Sequence, residues 1–290
     1  MSAASTGTGT TRAENSSSLK ERARREVWYT RRVLRAGVKY AWHFTRFCLA
    51  LCLRLLPVSR RYRAAIAFSR LLTPFTKRMM ARNPIAYATD TPYEVAASMV
   101  LGALFAAGVN VETQFDVEGL ENVTKPYREG RGVLLIAARA GLNHASLEVL
   151  MGAQVVPVVV ADGPVPRNGK GEYYANIPRT PSFMVKVRSR LKRGALVAAA
   201  VNRDEPLEGR TLAVPTNIGV MQFTTSLVQV AVKCGSAIVF SMITLAPSGR
   251  IDVRLIAPVA GAEGDATRIV QNFGELVAQA IAAQTASHGR

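Results

Sequence analysis

Cysteine and histidine are scarce in this sequence, with three of each among 290 residues. Cys48, Cys52 and Cys234 are too few and too unevenly placed for a disulfide framework or a four-ligand zinc site. Three scattered histidines do not make a metal cluster either. We therefore expect a chain that folds without covalent or metal cross-links in a reducing, cytoplasmic setting, with no metal and no bound cofactor.

A long apolar run and a leader sequence are also missing. No strictly apolar stretch is longer than seven residues, the length of residues 47–53, whereas a helix needs about twenty to span a bilayer. Residues 1–17 are polar and lack the apolar centre of a secretory signal peptide. We expect them to form a disordered tail, because such a composition buries too little apolar surface to fold.

Three widespread motifs are absent as well: G-x-S-x-G, the P-loop and G-x-G-x-x-G. The sequence therefore lacks the usual signals of a serine hydrolase, a P-loop NTPase and a dinucleotide-binding fold. With 49% hydrophobic residues, the chain can still bury one sizeable α/β core or two small ones.

Positive charge, by contrast, is abundant and unevenly spread. The formal net charge is +17 at pH 7, and residues 1–82 hold 18 Lys and Arg against 3 acidic residues, a net +15. Residues 83–290 hold 19 against 17, a net +2. The basicity therefore belongs to one segment, which indicates a polyanionic partner, either a lipid surface or nucleic acid.

The basic segment, residues 18–82, has the pattern of membrane-associated helices. Ser18 and Glu21 have the spacing of a capping box, which predicts a helix from there to Pro57. Four cations of this helix lie within roughly 60° of one another on a helical wheel: Arg32, Arg35, Lys39 and Arg46. We expect them to meet the anionic headgroups of a membrane surface. A solvated basic face on a packed helix is the alternative, and we expect no nucleic-acid partner because no reader motif accompanies the charge.

Two more helices are expected before the α/β body. Residues 58–82 continue the basic, helix-prone composition and predict a second helix or a helix pair that Pro74 breaks or kinks. Thr91 then has the position of an N-cap, Glu94 completes a capping box, and Gly108 marks a helix end. We predict a core helix here rather than a membrane span, because small and polar residues interrupt its apolar stretch.

Residues 83–290 are predicted to form an α/β domain. Short apolar runs rich in β-branched residues alternate with helix patterns, as in a mostly parallel central sheet flanked by helices. The predicted strands are TQFDVEG, VLLIAA, VVPVVVA, LVAAAV, AIVFSMI and RIDVRLIAPV, and the predicted helices cover residues 144–153, 182–193, 222–234 and about 265–285. Residues 161–181 are rich in Pro and Gly and too long for an ordinary connection, which indicates a functional loop at the sheet's edge.

His144 lies where a predicted strand gives way to a helix, the place where chemistry gathers in parallel sheets. If the helix begins near Asn143, Glu148 follows one turn later on the same face. A carboxylate beside an imidazole orients the ring and raises its basicity, as in the base half of a catalytic triad. His144 and Glu148 are therefore a candidate catalytic pair, although a histidine at a helix start can equally be a cap or a satisfied surface group.

Two long stretches of the chain carry a family resemblance. They are FDVEGLENVTKPYREGRGVLLIAARAGLNHASLEVL and LKRGALVAAAVNRDEPLEGRTLAVPTNIGVMQFTTSLVQVAVKCGSAIV. The first is similar to the lead-in to the active-site turn, and the second resembles the later block, of the bacterial lipid A biosynthesis lauroyl/myristoyl acyltransferase family. This family is a branch of the glycerophosphate-acyltransferase-like superfamily. The resemblance runs in order from about residue 30 to about residue 260.

The active-site turn departs from the family's pattern, which is a His followed, after four residues, by Asp or Glu. Aligned on Gly141, the His position holds Arg139 and the carboxylate position holds His144. The chain offers instead His144 with Glu148, separated by three residues. Either the catalytic pair has moved about one turn into the helix, or the site is degenerate. The family's aromatic and basic C-terminal ending is also absent.

The resemblance implies a membrane-associated acyltransferase at the cytoplasmic face of the bacterial inner membrane. Such an enzyme moves a fatty acyl group from a thioester donor to a lipid or glycolipid hydroxyl. The implied partners are the anionic membrane surface, acyl carrier protein or a CoA thioester as co-substrate, and a lipid or glycolipid acceptor. The alternative is a catalytically inactive relative that binds lipid or acyl chains.

If the site is active, His144 takes the proton from the acceptor hydroxyl and Glu148 holds its tautomer. We expect amides near Asn143 or the guanidinium of Arg139 to stabilise the oxyanion. Three residues beside the later strand are expected to bind a phosphorylated acceptor or a pantetheine phosphate, with an ordinary solvated loop as the alternative: Arg203, Asp204 and Arg210.

Overall fold

The computed structural model describes residue 48 and residues 51–82, 89–138, 142–168, 172–201, 211–217, 219–258 and 265–288, with the side chains of the last helix described as far as residue 283. The elements, in chain order, are α1 (Val58–Met80), α2 (Pro92–Ala106), β1 (Phe115–Glu118), α3 (Glu121–Arg128), β2 (Val133–Ala137), α4 (His144–Gly152), β3 (Pro157–Val160), β4 (Ala175–Ile177), α5 (Phe183–Lys192), β5 (Leu196–Ala200), β6 (Thr211–Thr216), β7 (Gly219–Thr224), α6 (Ser226–Lys233), β8 (Ala237–Leu245), β9 (Ile251–Ile256) and α7 (Ala266–His288). All of these elements belong to one compact unit, Ala50–Arg290.

Seven strands form the central sheet, in the order β1-β9-β8-β2-β5-β3-β4. The strands from β8 to β4 run parallel to one another. Strand β9 is antiparallel to β8, and β1 is parallel to β9. The predicted fold class, α/β with a mostly parallel sheet flanked by helices, is confirmed. The parallel strands all end at one edge of the sheet, where β2 closes with Ala137 and β5 with Ala200.

The parallel strands are buried on both faces, which explains their almost continuous apolar composition. All five residues of β2 are buried, and alternate residues point to opposite faces. Leu134 and Ile136 belong to a core cluster with residues of α5, α6 and α7. Leu135 and Ala137 face the cavity that also contacts α4. The sheet therefore lies between two layers of helices.

Helix α2 forms as its capping signals predict. The Thr91 hydroxyl accepts the Glu94 amide at 3.1 Å, and a Glu94 carboxylate oxygen accepts the Thr91 amide at 2.6 Å. The other Glu94 oxygen accepts the backbone amide of Leu245 at 2.9 Å, which ties α2 to the end of β8. Gly108 has a φ of 68° at the helix end. Most of the helix is buried, so the prediction of a core helix is confirmed.

Helix α1 packs against α2 and against the turn between β8 and β9. The Tyr62 hydroxyl donates to the Gly249 carbonyl at 2.5 Å, and the Thr76 hydroxyl donates to the Pro92 carbonyl at 2.6 Å. The helix continues through Pro74, so the prediction of a single second helix is confirmed, the break into a pair is wrong, and the kink stays a prediction. Buried contacts on both sides of the proline offset its cost, which is about 3 kcal/mol in a helix interior. No described helix is long and apolar enough to cross a membrane.

Two parts of the fold differ from the prediction. Strands β6 and β7 form an antiparallel hairpin. Helix α6 begins only at Ser226, so the helix predicted from residue 222 starts too early. The hairpin contacts α7 and buries Val214 and Phe223 in the core. The predicted loop at 161–181 contains a short edge strand, β4, whose exposed residues gave no strand signal.

Candidate functional site

The start of helix α4, near the end of β2, borders the candidate site. Helix α4 begins at His144, as the sequence predicts, with Asn143 in the N-cap position. The Asn143 side-chain amide donates to the Ala138 carbonyl at 2.7 Å, and the Ser146 hydroxyl donates to the Asn143 carbonyl at 3.0 Å. These bonds join the end of the strand to the first turn of the helix and fix the position of His144.

A cavity of about 170 Å³ lies against this turn, at the edge where the parallel strands end. Its walls come from β2, β3, β5, the first turns of α4 and Val165, and they are mostly apolar. The small side chains of Ala137, Ala198 and Ala200 leave the space open. We call this cavity the groove. Its lining residues are Leu135, Ala137, Asn143, His144, Ser146, Leu147, Val159, Val160, Val165, Ala198, Ala199 and Ala200.

His144 is half-buried and lines the groove. Its ring meets Phe105 of α2 edge to face, with ring centroids 5.1 Å apart and an interplanar angle of 83°. Phe105 is only 1% exposed. Because a buried aromatic ring supports it, the imidazole is held by packing beside the groove. The predicted site histidine therefore lies where the sequence placed it.

Glu148 lies one turn further along α4 and joins the helix to the loop between β3 and β4. One carboxylate oxygen, Oε1, accepts the Tyr174 hydroxyl at 2.9 Å and the Asn168 backbone amide at 3.1 Å. Neither bond was signalled by spacing in the sequence, since the partners lie 26 and 20 residues away. The orientation of His144 by Glu148 stays a prediction.

The Tyr174 hydroxyl is kept protonated at neutral pH. Burial raises the pKa of Tyr174 well above its ordinary value of about 10, and the charge of Glu148 and the hydrogen bond to it raise it further. Arg167 acts in the opposite direction, with its guanidinium carbon 5.8 Å from the Tyr174 ring centroid. The Tyr174 hydroxyl therefore keeps its proton and remains a hydrogen-bond donor to Glu148.

Arg179 is a cation near the groove that the sequence analysis missed. It follows the end of β4, and its guanidinium donates to the carbonyl of Ala200, a groove residue, at 3.3 Å. Its backbone amide donates to the Asp162 carboxylate at 3.3 Å. The only available signal was its position just after a strand, and that strand was itself not predicted. Arg179 brings positive charge to the edge where the groove lies.

Several predicted residues lie outside the part of the chain that the structure describes. They include the tail at residues 1–17, the cationic stripe of the first predicted helix, and the proposed phosphate-binding and oxyanion-binding side chains: Arg139, Arg203, Asp204 and Arg210. Of the predicted site residues, the structure brings together Asn143 and His144 at the groove and places Glu148 on the same helix.

A larger cavity, of about 750 Å³, lies at the opposite edge of the sheet. It is bounded by α3, by the end of α6 and by the start of β8, and it holds no predicted site residue. The groove is the better candidate despite its smaller size, because the larger cavity lacks a histidine and lies where the parallel strands begin. Within the described ranges, no cluster of three or more His, Cys, Asp or Glu residues could hold a metal ion.

No protein-family model matches this chain, and no curated protein matches it.

Proposed function

We propose that this protein is a membrane-associated acyltransferase of lipid metabolism that moves a fatty acyl group from a thioester to a lipid or glycolipid hydroxyl. The observation that carries the proposal is His144 beside an apolar groove at the edge where the parallel strands end. Such an edge is the usual ligand site in open α/β sheets. An imidazole supplies a base, and the apolar walls suit an acyl chain.

In the proposed reaction, the acyl group moves from the thioester sulfur to the hydroxyl oxygen of the acceptor. His144 removes the proton from the acceptor hydroxyl, and the oxygen attacks the thioester carbonyl. The carbon–sulfur bond then breaks, and the imidazolium returns the proton to the departing thiolate. Glu148 steadies the imidazolium through a carboxylate oxygen, and Arg179 favours anionic groups of the donor or acceptor. The products are an ester and a free thiol.

Membrane association is supported by the outward face of α1. Helix α1 carries five exposed cations together with Leu71 and Phe75, which are 76% and 57% exposed. One of the cations, Arg70, also donates to the Pro247 carbonyl at 2.7 Å. Residues 58–82 contain no acidic side chain. Each cation near an anionic membrane contributes about 1 kcal/mol, and the exposed apolar side chains can enter the headgroup region. The five cations are Arg60, Arg63, Arg70, Lys77 and Arg78.

The finer assignment rests on the resemblance to the lauroyl/myristoyl acyltransferases. This resemblance implies a role in lipid A biosynthesis at the cytoplasmic face of the inner membrane, with acyl carrier protein or CoA as the acyl donor. The basic surface suits acyl carrier protein, because opposite charges favour encounter between the two proteins.

A non-catalytic protein that binds acyl chains is the second candidate. The bonds from Tyr174 and Asn168 to Glu148 favour it, since they give the carboxylate a structural role without chemistry. Both candidates use the same groove, so only turnover separates them.

The first experiment measures acyl transfer by the purified full-length protein. Dodecanoyl-CoA or a dodecanoyl carrier protein is mixed with membrane lipid, and both thiol release and acylated lipid are followed. We expect His144→Ala to lower the rate about 10²- to 10⁴-fold, the usual contribution of a general base. The matched control is His288→Ala at the end of α7, which should keep the rate.

The outcome separates the candidates. An unchanged rate in His144→Ala would remove this residue from the mechanism. Saturable binding of acyl chains without thiol release would favour the non-catalytic candidate.

The second experiment tests the membrane surface. Sedimentation with phosphatidylglycerol vesicles is compared for Arg63→Glu/Arg78→Glu and for the control Arg188→Glu/Arg190→Glu on α5. We expect the α1 pair to weaken binding at least about thirtyfold, from about 1 kcal/mol for each lost cation. Equal losses in the two pairs would mean that net charge, rather than the α1 face, governs binding.

A further inference from the structure

The loop between β3 and β4 contains a short antiparallel arm, made of residues 165–168 and 172–174. Pro166 and Tyr173 form its β-bridge. The Tyr174 amide donates to the Val165 carbonyl at 2.9 Å, and the Arg167 amide donates to the Glu172 carbonyl at 2.9 Å. An ion pair of 2.8 Å between the Arg167 and Glu172 side chains adds a further link.

Hydrogen bonds hold the arm at two places, the backbone of Val111 and the carboxylate of Glu148. Asn168 makes a double hydrogen bond with the backbone of Val111, donating to its carbonyl at 2.7 Å and accepting from its amide at 3.0 Å. Glu148 forms the second fastening through Tyr174 and Asn168. Tyr174 is 5% exposed, whereas its neighbour Tyr173 is 53% exposed. Of the two adjacent tyrosines, Tyr174 is therefore the one that holds the arm.

The arm also forms part of the groove wall. Val165 lines the groove and accepts the backbone hydrogen bond of Tyr174. Glu148 lies one turn after His144 on α4 and accepts hydrogen bonds from the arm. A displacement of Tyr174 would therefore move Val165 relative to His144, and the groove would change shape.

We propose that Glu148, Tyr174 and Asn168 form a latch that holds the arm against α4 and so sets which acyl chains the groove accepts. The latch deepens the proposed function, and its role as a specificity determinant rests on that function. Tyr174 and Asn168 are positioning residues, because they act through Val165. Glu148 has two proposed roles. Its Oε1 accepts the hydrogen bonds that hold the arm, and its negative charge stabilises the protonated imidazole of His144.

Three variants separate these roles. Tyr174→Phe removes the hydroxyl from the latch and keeps the ring. Glu148→Gln keeps a carbonyl oxygen that can accept both latch bonds, but it removes the charge beside His144. Tyr173→Phe is the matched control, since it removes a hydroxyl from the exposed neighbouring tyrosine.

The first measurement is amide hydrogen exchange of the full-length protein, which needs no turnover. In Tyr174→Phe we expect exchange at the Asn168 amide to rise about ten- to a hundredfold, the effect of losing a hydrogen bond to a charged group. We expect Tyr173→Phe to keep the wild-type exchange at this amide, and Glu148→Gln to raise it less than Tyr174→Phe does, because a neutral acceptor weakens both bonds without removing either.

The second measurement is displacement of a fluorescent fatty acid by unlabelled fatty acids of about 4 to 12 carbons, a range that brackets the roughly five to six water-sized groups that a groove of about 170 Å³ can hold. We expect Tyr174→Phe to reduce the ratio between the strongest and the weakest affinity in the series at least about threefold, because one wall of the groove is then free to move. The control should retain the wild-type preference.

The outcomes are distinct from those for the proposed function. If Tyr174→Phe exchanges at Asn168 like the control, or exchanges faster but keeps the wild-type chain preference, the latch proposal is overturned. If the latch behaves as expected while thioester turnover is absent, the proposed enzyme activity fails and the latch stands as a property of an acyl-binding groove.

Discussion

Ala200→Leu is predicted to fill about half of the groove without disturbing the core. Ala200 ends β5, lines the groove and is only half-buried, so a larger side chain can project into the open space. The groove of about 170 Å³ has room for roughly five to six water-sized groups. Leucine adds three carbon atoms and would occupy about half of it. Three displaced methylene contacts at about 0.8 kcal/mol each amount to about 2.4 kcal/mol, or about sixtyfold weaker binding of an acyl chain.

Displacement of a fluorescent fatty acid measures this effect directly. The matched control is Ala175→Leu on β4, where the alanine is exposed and lies outside the groove. We expect the control to bind like the wild type, and we expect urea unfolding of both variants to stay within about 1.5 kcal/mol of the wild type. Undiminished acyl binding by a folded Ala200→Leu protein would refute the assignment of the groove as the acyl site.

Two further predictions concern stability. Glu94→Ala should lower the free energy of unfolding by about 3 to 5 kcal/mol in urea titrations, because it leaves the half-buried amide of Thr91 and the buried amide of Leu245 without their charged acceptor. A loss below about 1 kcal/mol would contradict the role of this carboxylate. Burial raises the pKa of Tyr62 and of Tyr174 above the ordinary value of about 10. The stability that the two protonated tyrosines contribute should be complete below pH 10. Above pH 10 the free energy of unfolding should fall by about 1.4 kcal/mol per pH unit for each residue, since only the unfolded state loses the proton there. Urea titrations from pH 9 to pH 11.5 test this: if the Phe variants lose stability with pH as steeply as the wild type, the account is wrong.

The elements with strong local signals could be predicted from the sequence. The capping box of Thr91 and Glu94 and the glycine at residue 108 fix α2 by contacts within a few residues. The start of α4 at His144 likewise follows from the change from an apolar strand to a helical period. Parallel strands buried on both faces are recognisable because their apolar runs are short and almost continuous.

Elements stabilised mainly by distant contacts were missed. Strand β4 has three residues, two of them exposed, and it forms because β3 offers a free edge. The β6–β7 hairpin is held by burial of Phe223 against α7. The reversal of β9 was readable in principle, since the connection from Leu245 to Ile251 is too short for a parallel crossover.

The candidate site was predictable only in part. Its histidine could be found because helix starts beside parallel strands are common sites. The bonds from Tyr174 and Asn168 to Glu148 could not be found, because they join residues more than a helical turn apart through the folding of the loop. Arg179 was missed for the same reason, since its approach to Ala200 depends on the pairing of β4.

Photoaffinity labelling with a diazirine-bearing dodecanoyl thioester tests the central claim most directly. The labelled peptides are identified by mass spectrometry after irradiation of the full-length protein. The account predicts labelling in residues 142–166 and 196–200, around His144, with competition by unlabelled dodecanoyl thioester. Competable labelling confined to residues 121–131 and 232–238, which border the larger cavity at the other edge of the sheet, would contradict it.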